Sequence, residues 1–169
     1  SPGEKSKSNR VKEKLENKLL ELKFNRDSLI IAFGGGVIGD LTGYLASTYL
    51  RGVDLVHIPT SLVAIVDSSI GGKTGINNNK GKNLIGTFYN PKEIIVNSDF
   101  LKTLPNKEIR QGMAEIIKYG VIKDYNLFKK LEKINDNFLD NNEFEINKIL
   151  KKCIKIKVEV IQKDFKERI

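Results

Sequence analysis

The chain has 169 residues, of which 40% are hydrophobic and 30% charged, a composition typical of a folded globular protein and not of a disordered one. Lys and Arg exceed Asp and Glu by 29 to 21, but the lysines are interspersed with acids, so we expect a generally basic surface and no nucleic-acid partner. One cysteine excludes an internal disulfide, one histidine excludes a two-histidine metal site built from this chain alone, and no apolar run could span a membrane. We therefore expect a cytoplasmic protein with no membrane partner.

The first elements follow the order of a nucleotide-binding α/β unit. Apolar residues recur every three or four positions over residues 9–24, which predicts an amphipathic helix. The apolar run at 28–33 predicts a strand buried on both faces, and it ends in three consecutive glycines at 34–36. Helical spacing then resumes over 37–48. Such a glycine turn lets a phosphate approach the helix N-terminus, and a turn that only packs closely is the alternative.

Two further strands complete the predicted sheet. The pattern at 53–58 predicts a strand that ends at Pro59, which cannot donate to a strand ladder, and the pattern at 93–97 predicts a short last strand. Thr60 and Ser61 would then follow the carboxyl end of a strand, where ligands of open α/β sheets bind. We interpret His57 as a packed or hydrogen-bonded side chain rather than a catalytic base.

Residues 67–83 have an unusual composition, with one acid, three lysines, four glycines and four asparagines. This composition predicts neither a helix nor a strand. Glycines allow main-chain N–H groups to point at a ligand, and the lysines favour an anionic one, so we expect phosphate or carboxylate binding here. A solvated hairpin turn is the alternative, because Asn and Gly are also the commonest turn residues.

The pattern becomes helical after Pro105, and no strand pattern returns. The first helix has Ile109, Met113, Ile116 and Ile117 as its predicted buried stripe. Residues 127–138 and 146–165 also have helical spacing, and the inward-facing residues of the last helix are Ile146, Leu150, Cys153, Ile154, Ile161 and Phe165. We therefore predict an α/β part over residues 1–105 and a helical part over residues 106–169.

Three charged residues of the helical part allow two interpretations each. Lys157 lies on the apolar stripe of the last helix, where it either extends to water or supplies a cation to a ligand site. Glu115 and Lys118 are one helical turn apart and either form a surface ion pair or, with Asp67 and Lys73, line an acid/base and metal site.

Together, the motifs resemble the 3-dehydroquinate synthase family of sugar-phosphate cyclases. Six motifs occur in family order and at family spacing, and they cover nearly the whole chain: Gly34-Gly35-Gly36-Val37-Ile38-Gly39-Asp40, Arg51-Gly52, Pro59-Thr60-Ser61-Leu62, the run at 67–73, Gly81-Lys82-Asn83-Leu84-Ile85-Gly86 and Ala114-Glu115-Ile116-Ile117-Lys118-Tyr119-Gly120. Pro2-Gly3-Glu4 and Lys7 are also similar to the family's NAD-adenosine segment.

The resemblance implies a partial Rossmann-like NAD-binding parallel sheet followed by the start of an all-helical domain. It implies conversion of 3-deoxy-D-arabino-heptulosonate 7-phosphate to 3-dehydroquinate and phosphate, a step of the shikimate pathway. In this family NAD oxidises a substrate hydroxyl, which acidifies the neighbouring proton and lets phosphate leave, and NAD is regenerated in each turnover. Zinc or another divalent metal and a homodimer are implied as well.

The resemblance also implies roles for individual residues. NAD would be bound by Glu4, Lys7, Gly34, Gly35, Gly36, Val37, Asp40, Thr60, Ser61, Lys82, Thr103 and Leu104. The anionic sugar phosphate would be bound by Arg51, Asp67, Lys73, Asn83, Lys118 and Lys157, with Asp67, Lys73 and Lys118 as catalytic residues and Arg51 reaching the substrate of a neighbouring subunit. Glu115 would be a metal ligand.

The sequence departs from the family pattern in two ways. Ser61 stands where a second threonine is usual, and His57 stands where glutamine is common. More seriously, the family's opening strands and two zinc histidines have no counterpart in the printed sequence. We therefore expect an incomplete catalytic unit that is inactive alone. A sister sugar-phosphate cyclase and a non-catalytic ligand-binding remnant are the alternatives.

Overall fold

The computed structural model describes residues 3–134 and 138–164, which form two compact units. One, here called the α/β unit, consists of Ser1–Pro59 and Gly72–Ile95. The other, the helical unit, consists of Thr60–Gly71 and Val96–Ile169. No helix in the described part of the chain is both long and apolar enough to cross a membrane.

The α/β unit contains the predicted parallel sheet. Its elements are α1 (Asn9–Glu21), β1 (Leu29–Gly34), α2 (Gly36–Thr48), β2 (Asp54–Pro59), β3 (Lys73–Asn78), β4 (Gly81–Phe88) and β5 (Glu93–Ile94). β1, β2 and β5 are parallel in that order, with Ala32 opposite His57 and His57 opposite Ile94. The predicted α/β fold class, in which a glycine turn joins a strand to a helix, is thus confirmed.

The first strand differs from its prediction. β1 lies at the edge of the three-stranded sheet, and its alternate residues Leu29, Ile31 and Phe33 are each about half exposed. Ala32, by contrast, is buried in a small core with Ala46 of α2 and Leu55 of β2. Because α2 packs against only one face of this strand, the apolar run is not buried on both faces as its composition predicted.

The segment at 67–83 is also more regular than its composition predicted. Ala64–Ser68 forms a π-helical turn, and β3 pairs antiparallel with β4 in a hairpin. Gly75 and Gly86 are directly opposite each other, and a Cβ added to Gly86 would lie 1.9 Å from the Thr74 carbonyl oxygen. Two of the glycines therefore allow two strands to approach closely, as in the hairpin alternative, and anion binding by this segment stays a prediction.

The helical unit has a single apolar core. Its helices are α3 (Asn106–Ile122), α4 (Tyr125–Leu131) and α5 (Glu143–Lys163). The core includes Leu62, Ile65, Val66, Leu101, Ile109, Ile116, Tyr119, Leu127, Phe138, Ile149, Leu150 and Cys153. The apolar run at 62–66 thus belongs to this core, together with Leu101. The compact units consequently differ from the predicted boundary near Asn106, since two segments that precede it in sequence pack with the helices.

Parts of the predicted helix faces are wrong. Ile117 is 42% exposed, whereas the buried face of α3 runs through Ile109, Gly112, Ile116 and Tyr119. Gly112 permits this packing, because a Cβ there would lie 2.4 Å from the Leu62 side chain. The predicted helix at 127–138 ends early, at Leu131. Phe165 lies outside the described residues.

Candidate functional site

A buried lysine joins three parts of the α/β unit. The Lys7 side chain is only 4% exposed, and its ammonium forms an ion pair with the Asp40 carboxylate and donates to the Asn83 side-chain oxygen. Lys7 precedes α1, Asp40 lies in α2 and Asn83 in β4. Asn83 has a φ of 58°, in the left-handed region that asparagine tolerates better than most residues. Two residues predicted to bind NAD are thus in contact with one predicted to bind substrate.

The Asp40 carboxylate has an unfavourable balance of interactions. Burial raises its pKa, and the hydrogen bond and charge of Lys7 lower it without compensating fully, while the Glu4 charge raises it further. The pKa of Asp40 therefore lies above its ordinary value. A second cation or hydrogen-bond donor from a ligand would stabilise the ionised form.

Asn77 is a residue of this network that the sequence analysis did not assign. Its side-chain nitrogen donates to Glu4 Oε1 at 2.7 Å, and its side-chain oxygen accepts the Asn83 N–H at 2.9 Å. Its own N–H donates to the Lys7 carbonyl oxygen at 2.9 Å. Asn77 thereby fixes both Glu4 and Asn83. Nothing in the run Asn77-Asn78-Asn79 distinguishes it, because its role depends on the hairpin register.

Two cavities of the α/β unit collect most of its predicted site residues. A cavity of about 300 Å³ is lined by Asp40, Lys73, Thr74, Gly75, Asn83, Leu84, Gly86, Thr87 and Phe88. A more open one of about 620 Å³ is lined by Glu4, Lys5, Lys7, Ser8, Lys82 and residues 77–81. The first brings Lys73 and Asn83 together with Asp40, and the second brings Lys82 together with Glu4 and Lys7.

The glycine turn leaves the N-terminus of α2 without a protein cap. Gly35 is the N-cap and supplies no side-chain hydrogen bond, and the first turn of the helix contains no acidic residue. Uncapped N–H groups at the positive end of a helix suit a phosphate group. Gly34, Gly35, Gly36 and Val37 therefore fit the dinucleotide role that the sequence predicts.

The helical unit contains a second network, centred on Asp67. The Lys157 ammonium lies 2.9 Å from Asp67 Oδ1, and the Tyr119 hydroxyl donates to the same oxygen at 3.0 Å. The Lys157 and Asp67 side chains are 14% and 25% exposed. Lys157 is thus paired with a carboxylate, which favours the site interpretation over extension to water. Tyr119 belongs to the motif at residues 114–120, and the resemblance implies no role for it.

These contacts keep Asp67 ionised. Burial raises the pKa of Asp67, but the hydrogen bonds and charges of Lys157, the Tyr119 hydroxyl and the Lys118 charge together outweigh burial and hold the pKa below its ordinary value. Burial and the Asp67 charge in turn raise the pKa of Tyr119, so this residue stays a protonated donor. Asp67 is therefore a fixed anion at neutral pH.

Glu115 and Lys118 form an ion pair one turn apart on α3. Glu115 Oε2 is buried, and the Lys118 ammonium is the partner that the structure gives it. Such an oxygen could accept a metal ion. However, the described residues contain no group of three His, Cys, Asp or Glu side chains placed to bind one metal, so the ligand role of Glu115 stays a prediction.

The remaining predicted residues are not gathered into either network. Thr60 and Ser61 precede the π-helical turn, where Ser61 Oγ accepts the Ala64 N–H. Thr103 ends a 3₁₀ turn, and Leu104 packs against the helical core. Arg51 is exposed and lies in the α/β unit. Their roles stay predictions.

The one histidine and the one cysteine of the sequence, His57 and Cys153, are both buried. Burial lowers the pKa of His57, and its Nε2 has no hydrogen-bond partner among the described residues, so it is packed in its neutral form rather than placed as a base. Burial raises the pKa of the Cys153 thiol to about 12, which makes it an unreactive core residue.

The fold is that of the sugar-phosphate cyclases, α/β proteins with an NAD-binding domain. The structure of ValA (2-epi-5-epi-valiolone synthase) from Streptomyces hygroscopicus subsp. jinggangensis 5008, with NAD+ and Zn2+ bound, matches with a TM-score of 0.91 and 29% identity, over 99% of this chain and 48% of that one. A 2-deoxy-scyllo-inosose synthase complexed with carbaglucose-6-phosphate, NAD+ and Co2+ matches with a TM-score of 0.91 and 28% identity, over 99% and 47%.

Within this class, the chain belongs to the 3-dehydroquinate synthase family. The family's N-terminal model matches residues 1–111, and its C-terminal model matches residues 112–169. The 3-dehydroquinate synthase of one Prochlorococcus marinus strain is 52% identical over 155 residues, which are 90% of this chain and 42% of that protein. The chain thus spans less than half the length of this relative.

Proposed function

We propose that this chain is part of a cytoplasmic 3-dehydroquinate synthase, an NAD-dependent lyase that converts 3-deoxy-D-arabino-heptulosonate 7-phosphate to 3-dehydroquinate and phosphate. The observation that carries the proposal is the Lys7, Asp40 and Asn83 network, in which predicted NAD-binding and substrate-binding residues are in contact. The 52% identity to a 3-dehydroquinate synthase supports this reaction over that of a sister cyclase, since the two sister cyclases are 28% and 29% identical.

The α/β unit would hold NAD. The uncapped first turn of α2 would bind the pyrophosphate, and Glu4, Lys7 and Lys82, which line one cavity, would bind the adenosine half. Thr60, Ser61, Thr103 and Leu104 are the further proposed contacts. When bound, NAD supplies a reversible hydride transfer.

The substrate would be bound by cations and one fixed anion. Lys73 and Asn83, which line the same cavity, would bind its anionic groups through charge-assisted hydrogen bonds. Because Asp67 stays ionised, its carboxylate can accept a hydrogen bond from a substrate hydroxyl. Lys118 and Lys157 add positive charge near Asp67 within the helical unit.

The proposed site has an incomplete set of ligands for a divalent metal. Glu115 would be one ligand, through a buried carboxylate oxygen that pairs with the Lys118 ammonium in this structure. The described residues do not supply the other ligands. For the same reason we propose that the 169-residue chain is inactive alone.

Arg51 is the residue that connects the proposal to a homodimer. Leu50, Arg51 and Gly52 have φ values of 48°, 69° and 120°, and two consecutive non-glycine residues in the left-handed region are costly. Such strain is common at binding sites. We propose that it presents Arg51 to the substrate phosphate of a second copy.

Replacement of Lys73 tests the substrate site. In a full-length family protein that carries this sequence, Lys73→Ala should lower kcat/KM for phosphate release by about 100-fold or more, because a bound anion would lose its charged partner. The matched control is Lys14→Ala, an exposed lysine on α1 that lines neither of the two cavities. Activity of Lys73→Ala within about threefold of the parent would contradict the proposal.

Mixing two inactive variants tests the homodimer. If Arg51 acts across subunits, Arg51→Ala and Lys73→Ala chains refolded together should recover activity, since one site of each mixed dimer would be intact. Each variant alone should remain impaired. No recovery, with mixed dimers demonstrated by mass spectrometry, would show that Arg51 does not act in this way.

A further inference from the structure

We propose that Tyr119 is a positioning residue for Asp67, which holds one oxygen of the carboxylate so that the other is presented to the ligand. This inference rests on the proposed role of Asp67 in substrate binding. It assigns a function to a side chain that the sequence analysis left unassigned.

The geometry of the two donors carries the inference. The Tyr119 hydroxyl lies 3.0 Å from Asp67 Oδ1, and the Lys157 ammonium lies 2.9 Å from the same oxygen. Because both donors converge on Oδ1, Oδ2 is the oxygen that these two residues leave for a ligand. A carboxylate has acceptor sites on both oxygens, so Asp67 Oδ2 can still accept hydrogen bonds from a ligand.

The two donors differ in how firmly they are held. The Tyr119 ring is 2% exposed and packs in the core of the helical unit with Val66 and Ile116. Lys157 reaches Asp67 through a flexible four-carbon side chain. A rigid ring has fewer conformations to lose than a lysine side chain, so Tyr119 defines the carboxylate's position more sharply than Lys157 does.

The local backbone adds to this constraint. The Tyr119 hydroxyl is also 3.0 Å from the Val66 carbonyl oxygen, in the same π-helical turn as Asp67. A hydroxyl has one hydrogen to donate, and an ionised carboxylate is a stronger acceptor than a carbonyl oxygen. The Tyr119 hydroxyl thus contacts the backbone of Val66 and the side chain of Asp67, which are consecutive residues. Isolated π-helical turns frequently occur at functional sites.

The charged groups around the pair come from three elements. Asp67 lies in the π-helical turn, Lys118 and Glu115 lie on α3, and Lys157 lies on α5. The Cys153 thiol of α5 is also close enough to influence Tyr119. The positive charges of Lys118 and Lys157 would remain after removal of the Tyr119 hydroxyl, so any change in Asp67 reports the loss of that one donor.

The first test is Tyr119→Phe, made in the 169-residue chain and in a full-length family protein that carries it. The Asp67 carboxyl is titrated by carbon-13 NMR, and its midpoint should move to higher pH because a donor to the ionised form is lost. The matched control is Tyr49→Phe, which removes another buried tyrosine hydroxyl, one that donates to the Phe24 carbonyl oxygen in the α/β unit. An unchanged Asp67 midpoint would overturn the proposal.

A reciprocal variant keeps the proposal testable if Tyr119→Phe does not fold. In Asp67→Asn the negative charge beside the phenol is removed, so the carbon-13 chemical shift of Tyr119 Cζ at neutral pH should differ from that of the parent. An unchanged chemical shift would show that the hydroxyl does not interact with the carboxylate.

In the full-length protein, Tyr119→Phe should also lower kcat/KM by about tenfold, the usual effect of losing one hydrogen bond to a charged group. The acid limb of its pH profile should move in the same direction as the Asp67 midpoint. A shifted midpoint in a protein without cyclase activity would confirm the positioning and reject the proposed function. Cyclase activity with an unshifted midpoint would reject the positioning alone.

Discussion

Each of the two units contains an aspartate paired with a largely buried lysine, yet the pKa values of the two aspartates shift in opposite directions. Asp40 pairs with Lys7 in the α/β unit, and its pKa lies above the ordinary value. Asp67 pairs with Lys157 in the helical unit, and its pKa lies below it. Burial is the largest influence on both carboxyls, so the ion pair alone does not decide the direction.

The difference lies in the number of additional donors. Asp67 receives a hydrogen bond from Tyr119 and a favourable charge from Lys118, whereas Asp40 has the unfavourable charge of Glu4 nearby. One lysine does not offset burial, but a lysine, a hydroxyl and a second lysine do. The comparison shows that several donors favour the ionised form of Asp67, while a further donor from a ligand would favour the ionised form of Asp40.

The largest expected effect is from removing the lysine of the helical pair. Lys157→Met should lower the free energy of unfolding by about 2 kcal/mol, less than for a fully buried pair because both side chains are partly exposed. The pKa of Asp67 should rise as well. Urea unfolding at neutral pH checks the first effect.

The control for this experiment is Lys155→Met, an exposed position on the same helix, where the change should be within about 0.5 kcal/mol. Equal destabilisation by both substitutions would mean that the Asp67 pair does not stabilise the unit. The contrast between the two aspartates would then have no consequence for stability.

A smaller effect should appear in the acid dependence of two asparagine variants. Asp67 has a folded pKa below 3.8, so its contribution to stability is present above that value and is lost as the pH falls through the folded pKa. Asp40 has a folded pKa above 3.8, so its contribution is most favourable below that value and is lost as the pH rises through the folded pKa.

The destabilisation caused by Asp67→Asn should therefore shrink on acidification, while the stability of Asp40→Asn relative to the parent should fall. Denaturant unfolding between about pH 3 and pH 6 measures both trends. Trends of the same sign in the two variants would remove the contrast between the units.

The sequence predicted the order of elements better than their burial. The helix, strand, glycine turn and helix of the α/β unit follow from periodicity and from three consecutive glycines, which are local signals. The half-exposed face of β1 does not follow, because an apolar run is the same in an edge strand and in a central strand. The sequence offers a hairpin turn at residues 67–83 only as an alternative, and it does not reveal the two strands, since Gly75 and Gly86 have their effect only as a cross-strand pair.

The contacts within the candidate site could not be predicted from the sequence either. Resemblance identified Lys7, Asp40 and Asn83 as separate ligand contacts, but it did not indicate that they would contact one another. Asn77 and Tyr119 were not assigned because each acts through a residue that is distant in sequence, and only the tertiary fold brings their partners within hydrogen-bonding distance. The assigned ligand roles themselves stay predictions.

The smallest expected effect is a dependence on pH near neutrality, confined to the α/β unit. His57 is the only histidine of the chain, and burial lowers its pKa below 6.5. The unfolded chain therefore binds a proton more readily than the folded one, and stability should fall as the pH decreases below about 6.5. His57→Gln removes this dependence while keeping a side chain able to form hydrogen bonds.

Hydrogen exchange of β1 and β2 amides at about pH 7 and pH 5.5 measures the effect, and α5 amides are the internal control, since no histidine is present in the helical unit. If the parent and His57→Gln lose β2 protection equally at the lower pH, His57 does not control the acid stability of this unit.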